Sequence, residues 1–543
     1  MDFSQTTIVN PNAGHEPDAS TPAARWHAWS GPSIALLICP AIMLIYGFII
    51  IGYLVPVYSG AQYLDYDPSY AYLFNGAALM KGYGPALIEH PGTPVQVLMG
   101  VITVISWSVA KLCGLTSLPF PQSVATNPEE YLRVIMTAFL VMNCFALYFL
   151  GLAIARSTRI VTAGLACQSA YFLLGALFAR IFHAAPEAIL FLAAVALMTT
   201  LAPVIFANKD CSDRRAIVVG VFLGLGTASK ITFFPFFVLA LVPARARPIC
   251  IALSAGLLSL LIFLLPMIDK LKGTFNWLTG VATHQGHYGE GAAGFIDWAM
   301  IPQRVRVIAS AEPLLMVAAI SLTAVILLSK SRDKWTAGVM VAAIGALLFL
   351  VLKHFSIHYL MPAVAVAPVA IVWALNRYIR RRSPYVIAAM IALVLGAASM
   401  QGTVSTFASD RAVRNENEKA VNDVLARYQN PVVIGAYRAN YKPWAIQFGL
   451  TWADRKFARL VPNSAADDSL SYIAHSKKLW RNQIGPVDWS YLDQFEKAGR
   501  AVLIVQPPRT KIDQQTARTE TLLDQGFGDT VERIIVSPKG DEK

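Results

Sequence analysis

Charged residues are scarce. They make up 14% of the 543 residues, against about 25% in a soluble domain. That shortage excludes an ordinary water-facing globule, and the 55% hydrophobic content points the same way. Acidic residues are the rarer sign, 33 against 45 basic ones, for a net charge of +12. The basic residues fall in short clusters between apolar runs, which is the pattern of membrane orientation rather than of a nucleic-acid surface. No nucleic-acid partner is therefore expected. The six cysteines (Cys39, Cys113, Cys144, Cys167, Cys211, Cys250) show no paired spacing, so neither a disulfide framework nor a zinc motif is expected. Most sit in or beside apolar runs and read as small hydrophobes. There is no Gly-x-Gly-x-x-Gly and no P-loop, so no nucleotide is assigned. Residues 1–30 are polar, contain Asp2, Glu16 and Asp18, and lack a basic stretch before a short apolar core, so no signal peptide is expected. No repeat of fixed period is visible.

What is present is a series of apolar segments, near 31–55, 93–112, 131–154, 160–179, 184–206, 215–229, 231–243, 248–268, 308–329, 335–352, 356–376 and 384–403. A span needs roughly 20 apolar residues, so the chain reads as a polytopic α-helical membrane protein of about 11–13 transmembrane helices. The pair 215–229 and 231–243 is short and interrupted, either two tilted half-spans or one span broken near Lys230 and Pro235. Basic clusters at Arg156/Arg159, Lys209/Arg214/Arg215, Arg245/Arg247, Lys330/Arg332/Lys334 and Arg377/Arg380/Arg381/Arg382 are expected on the cytoplasmic side. An even number of segments separates each successive pair, so they agree with one another. One conflict remains, because three segments precede Arg156 when residues 1–30 form a cytoplasmic tail. Either 93–112 is not a full span, or Arg156 and Arg159 break the rule.

From about residue 405 the composition changes. A charge-rich helical stretch, Asp410–Tyr428, precedes β-branched runs at Val432–Ala436, Ala501–Val505 and Val531–Val536. This predicts a small C-terminal α/β extramembrane domain over 405–543, a lid or acceptor-docking unit. The transmembrane module is then 31–404, with external loops 56–92 and 269–305.

Polar residues that are costly at a membrane surface gather in those loops. Asp65 and Asp67 flank Tyr66, and two carboxylates so spaced can share a divalent metal, or one can act as base while the other tunes it. Alternatively, Asp67 merely caps a helix beginning near Pro68 and carrying Tyr70. Glu89-His90-Pro91-Gly92 makes a rigid entry to the next segment. In the long loop, His284 and His287 could bind a metal or a phosphate, or belong to an ordinary polar loop. Lys230, the stretch Arg180–Glu187 with His183, and Lys353-His354 with His358 each read singly as interfacial anchors. Together they carry a stronger argument. The charge-based topology uses none of them, yet it gathers Arg180, His183, Glu187, Lys230, His284, His287, Lys353, His354 and His358 on one face. Cationic groups around a carboxylate pair suit a phosphate to hold and a proton to remove.

The pattern resembles the GT-C superfamily of polytopic glycosyltransferases, in particular the protein O-mannosyltransferase and lipid A aminoarabinose transferase branch. Asp67-Pro68-Ser69-Tyr70-Ala71 resembles that branch's first-loop Asp-Glu…Tyr-Ala motif with Pro in place of Glu. Glu89-His90-Pro91-Gly92 resembles its Glu-Lys-Pro-Pro entry, with His for Lys and Gly for Pro. Arg180 through Pro186-Glu187-Ala188-Ile189-Leu190 resembles its Arg…Asp-Ala-Pro-Leu region, and His358-Tyr359-Leu360-Met361-Pro362 its late Arg-Tyr-Leu-Leu-Pro element.

The resemblance implies a sugar moved, with inversion, from a polyprenyl-phosphate donor to an acceptor hydroxyl on a lipid, polysaccharide or protein. The expected setting is the periplasmic face of a bacterial inner membrane. Asp67 is the expected general base, with Asp65 or Glu89 orienting it or, for Asp65, sharing a divalent metal ion. His90, Lys230, Lys353 and His354 are expected at the lipid phosphate, with Tyr70, Arg180, Glu187, His284, His287 and His358 completing the binding set. The rival class is a transporter or flippase of lipid-linked sugars, which predicts paired repeats and mid-span charges.

Overall fold

The structure, a computed structural model, describes residues 34–54, 66–88, 92–284, 292–329, 331–379, 381–436, 442–461, 470–473, 478–481, 485–506, 518–523 and 530–535. Among the described residues, fifteen α-helices precede the first strand. They are α1 (Ile38–Leu54), α2 (Tyr66–Met80), α3 (Thr93–Leu112), α4 (Phe120–Thr126), α5 (Pro128–Thr158), α6 (Val161–Ala170), α7 (Pro186–Ala207), α8 (Asp213–Ser229), α9 (Ala246–Leu264), α10 (Leu271–Thr283), α11 (Ile301–Ala311), α12 (Pro313–Leu328), α13 (Ser331–Lys353), α14 (Met361–Tyr378) and α15 (Ser383–Leu425). Among the described residues, seven helices are long and apolar enough to cross a membrane. A pair bent by 96° between Trp298–Ala311 and Pro313–Leu328 makes an eighth, and three shorter apolar helices lie beside them. By length and composition the described residues thus give seven or eight spans, against the expected 11–13.

Direction along the bundle follows from a few contacts. Gly47 of α1 packs on Leu140 of α5, while Gln168 ties the Leu36 carbonyl to that of Leu147. Later residues of α1 thus meet earlier residues of α5, and the two run antiparallel. The start of α5 therefore lies on the face where α1 ends, and α3 makes no net crossing. Its far end folds back, with the Trp107 indole donating to the Leu118 carbonyl and packing on Phe120. This removes the parity conflict and puts Arg156 and Arg159 on the face of the other basic clusters. Ion pairs and hydrogen bonds stitch those clusters together: Arg245 with Asp210, Arg247 with Asp213, and Arg377 with Asp333 and the Ile205 carbonyl.

The broken stretch after α8 resolves as two half-spans. Ser212 caps α8, accepting from the Arg215 amide. The helix stops at Lys230, whose backbone is extended (φ −161°), and a 3-10 helix, Ile231–Leu241, runs back. Trp335 near the start of α13 donates to the Leu241 carbonyl, so this half-span returns to the basic face. α8 and α9 touch along small residues: Gly220 faces the Ala252 carbonyl and Gly256, and Gly224 faces Ser259. Without water to drive helix association in lipid, such close backbone approach holds spans together.

The helical stretch expected over 410–428 is present as the end of a longer helix. α15 runs unbroken for 43 residues, about 64 Å at 1.5 Å per residue. Its last turns enter the C-terminal unit, where Val421 and Val424 pack on Leu503, Val505 and Val531. That unit has α16 (Lys442–Thr451), α17 (Arg455–Ala458), α18 (Asp493–Lys497) and seven strands: β1 (Val432–Ala436), β2 (Leu470–Ile473), β3 (Lys478–Arg481), β4 (Gly485–Val487), β5 (Val502–Gln506), β6 (Arg518–Leu523) and β7 (Thr530–Ile535). The sheet order is β4-β3-β2-β1-β5-β7-β6. The central β2, β1 and β5 are parallel and the outer strands antiparallel.

The crossover from β1 to β2 leaves the sheet. Phe448, Leu450, Ala453, Phe457, Ala458 and Val461 are buried in the core of the helical module. Gly449 lies directly on Tyr70 and Phe74 of α2, where a Cβ would come within 2.7 Å of Phe74. Asn75 donates to the Trp452 carbonyl across the same contact.

Candidate active site

Four segment ends on the face opposite the basic clusters supply one nest of polar side chains. Pro186 opens α7 and places Glu187 in its first turn, where the helix dipole favours a negative charge. Lys230 is where α8 stops. Lys353 ends α13, and a 3-10 turn, Ile357–Leu360, carries His358 and Tyr359 into α14. The loop before α7 is tied in by Asn143, whose amide donates to the Ile181 and Ala188 carbonyls.

The centre of the nest is an ion pair. Lys230 Nζ lies 2.7 Å from Glu187 Oε1, and the two residues are 4% and 2% exposed. His358 Nε2 stands 3.7 Å from the same Glu187 oxygen, with its side chain 31% exposed. Tyr359 is the hub. Lys230 Nζ sits 4.2 Å over its ring, His354 stacks on it at 5.1 Å with its Nε2 3.0 Å from the hydroxyl, and His358 meets it edge-on at 4.4 Å. Ser356 Oγ lies 2.7 Å from His358 Nδ1. Arg180 adds a positive charge felt by both Glu187 and His358.

A second group adjoins it. Lys353 Nζ donates to the His284 carbonyl and lies 5.8 Å from the Phe295 ring. The Arg304 guanidinium of α11 donates to the Leu352 carbonyl and lies 5.8 Å from Phe355. The stretch around His284 and Phe295 is thereby pinned to the end of α13.

The structure thus brings Glu187, Lys230, His354 and His358 together, with Arg180 acting on them, and joins Lys353 to His284. Lys230 is a buried ion-pair partner, not the interfacial anchor it resembles when taken alone. Tyr70 lies elsewhere, fully buried on α2, with its hydroxyl donating to Glu129 Oε1 at 2.8 Å. Asp65, Glu89, His90 and His287 lie outside the described residues. Asp67 falls in the first described turn of α2, Tyr66–Met80, and its side chain lies outside the described residues.

Among the described residues, no three His, Cys, Asp or Glu side chains converge as a metal site would require. Asp65 and the side chain of Asp67, the expected metal pair, lie outside the described residues. The cysteines are all free, and burial together with Asp213 pushes the Cys211 thiol above its ordinary value. Two residues escaped the sequence reading. Tyr359 stood only as part of a motif, though its aromatic ring between two histidines was a signal. Glu129 is announced by Asn127-Pro128-Glu129-Glu130, a charged helix start before an apolar run.

The many-span bundle and its small appended sheet define an integral membrane protein, and the likeness to a solved structure gives it a GT-C-like fold. No family model matches the sequence, and no curated protein does. Among solved structures, the chain is similar to ArnT from Cupriavidus metallidurans bound to undecaprenyl phosphate. The TM-score is 0.53 at 11% identity, covering 92% of this chain and 97% of that one.

Proposed function

We propose that this protein is a glycosyltransferase that moves a sugar from a polyprenyl-phosphate donor to an acceptor hydroxyl on the outer face of a bacterial inner membrane. The observation that carries the reading is the buried Lys230–Glu187–His358–Tyr359 nest, formed where four segments end on one face of a fold shared with a protein that binds undecaprenyl phosphate. The lipid phosphate meets Lys230, His358 and His354, with Lys353, Arg304 and Arg180 raising the positive potential around them. Glu187 holds the Lys230 ammonium in place and offsets its charge. A phosphate is already a fair leaving group, so stabilising its developing charge matters more than protonating it.

On the acceptor side, Asp67 removes the hydroxyl proton as the sugar is transferred, and Asp65 or Glu89 orients it. A divalent ion, where one takes part, is held by Asp65 and Asp67. The basic face joined through Arg245, Arg247 and Arg377 is cytoplasmic, which leaves the nest and residues 405–543 in the periplasm.

The test is a deletion strain analysed by mass spectrometry of its lipids and envelope glycans. The reading predicts that donor lipid and unmodified acceptor accumulate together on the outer face, and that the wild-type gene restores the product while Asp67→Asn does not. Product formation by Asp67→Asn at normal protein levels removes Asp67 as the base. Donor trapped on the inner face marks a flippase instead.

A further inference from the structure

Glu129 is a carboxylate that this mechanism leaves unused. It lies in the first turn of α5 and is 4% exposed. Burying an ionised carboxylate costs several kcal/mol unless it is compensated. Two compensations are in view: the Tyr70 hydroxyl donates to it at 2.8 Å, and the positive end of the α5 dipole favours its charge.

Its place relative to Asp67 follows from helix geometry. Side chains on a helix lean toward its N-terminus, so the Tyr70 hydroxyl reaches back over the first turn of α2, the turn that carries Asp67. Residues three apart share a helix face. The helix is also held on its other sides. Gly76 lies against the Gln96 carbonyl and Gly100, Gly449 against Phe74, and Asn75 donates to Trp452 and accepts from the Ala86 and Leu87 amides. These printed contacts are neutral, whereas the contact of Tyr70 brings in a carboxylate from α5, 59 residues further along the chain.

We propose that Glu129 is a positioning residue of the transfer site: through the Tyr70 hydroxyl it fixes the first turn of α2 and places a second carboxylate beside the Asp67 position, supplied by α5 rather than by the loop around Asp67. This rests on the reading of Asp67 as the base. A glutamine at 129 keeps the size and an acceptor for Tyr70 but removes the charge, which separates this role from simple packing.

The experiment uses the full-length protein in nanodiscs. Membranes from the deletion strain serve as the source of donor and acceptor, product is read by mass spectrometry, and retention of undecaprenyl phosphate is measured in parallel. Glu129→Gln lowers the saturating rate on the order of 10- to 100-fold, while the apparent KM and undecaprenyl phosphate retention stay at wild-type values. Glu129→Asp recovers part of the rate. Tyr70→Phe lowers it in the same direction but by less, and decides the matter should Glu129→Gln fail to fold.

Wild-type turnover by Glu129→Gln or Tyr70→Phe overturns the inference. So does loss of undecaprenyl phosphate retention in Tyr70→Phe, because the pair would then be holding the fold as a whole. Asp67→Asn separates the two layers. If it is inactive while Glu129→Gln is normal, only the positioning role falls; if it turns over normally, the base reading falls and takes the inference with it.

Discussion

Lys230 and Glu187 depend on each other. Removing one member of a buried pair leaves the other charge stranded, at a cost of about 3–5 kcal/mol, whereas replacing both by neutral groups is often tolerated. Lys230→Met is therefore expected to lower the thermal transition in detergent and to abolish retention of undecaprenyl phosphate. The double variant Lys230→Met with Glu187→Gln should recover most of the stability and none of the retention. Recovery of both would assign the pair to folding alone. The sequence exposed Lys230 because a lysine within Val218–Leu241 must find a partner, but it could not name Glu187, which lies 43 residues away. Tyr359 was harder to see: a tyrosine near a span end is ordinary, and only the assembled geometry shows it between His354, His358 and Lys230.

Helix boundaries and directions were legible where a single physical rule governed them. Apolar runs marked the helices, and the charge clusters marked a shared face on which Arg245, Arg247 and Arg377 make ion pairs. The parity around α3 was not legible, because hydropathy measures whether a helix is apolar and not whether the chain returns beside it. The close packing of α8 on α9 was present in the sequence as Gly220 and Gly224, four residues apart, but glycine spacing carries meaning only once the facing helix is known. Gly224→Leu is expected to force the two helices apart at Ser259. The check is the yield of monodisperse protein and its thermal transition, both of which should fall sharply, while Gly338→Leu, where no neighbour lies within 4 Å, should leave them unchanged.

Among the described residues, the helical bundle is joined to the appended domain through α15 and through residues 442–461. The expected α/β unit is there, and β1 falls on the expected residues. What composition could not show is that the segment between β1 and β2 belongs to the core of the bundle, since its apolar residues suit either partner. Gly449→Val should unseat this segment from Phe74 and Tyr70. Hydrogen exchange over 442–461 and α2 is expected to rise, with exchange in α7 and α14 unchanged. A rise across all four would instead mean general unfolding.

The unbroken α15 has a mechanical consequence. A helix transmits rotation, and each residue inserted in it turns everything beyond by about 100° and advances it by about 1.5 Å. The sheet is therefore indexed to the bundle like a gear on a shaft, with Gly449 and Trp452 meshing against α2 at a single setting. Inserting one alanine in the exposed part of α15 should throw that mesh out of phase and expose 442–461 to proteolysis. Inserting seven restores the phase to within about 20° but not the height, so the two insertions separate the angular demand of the contact from its reach.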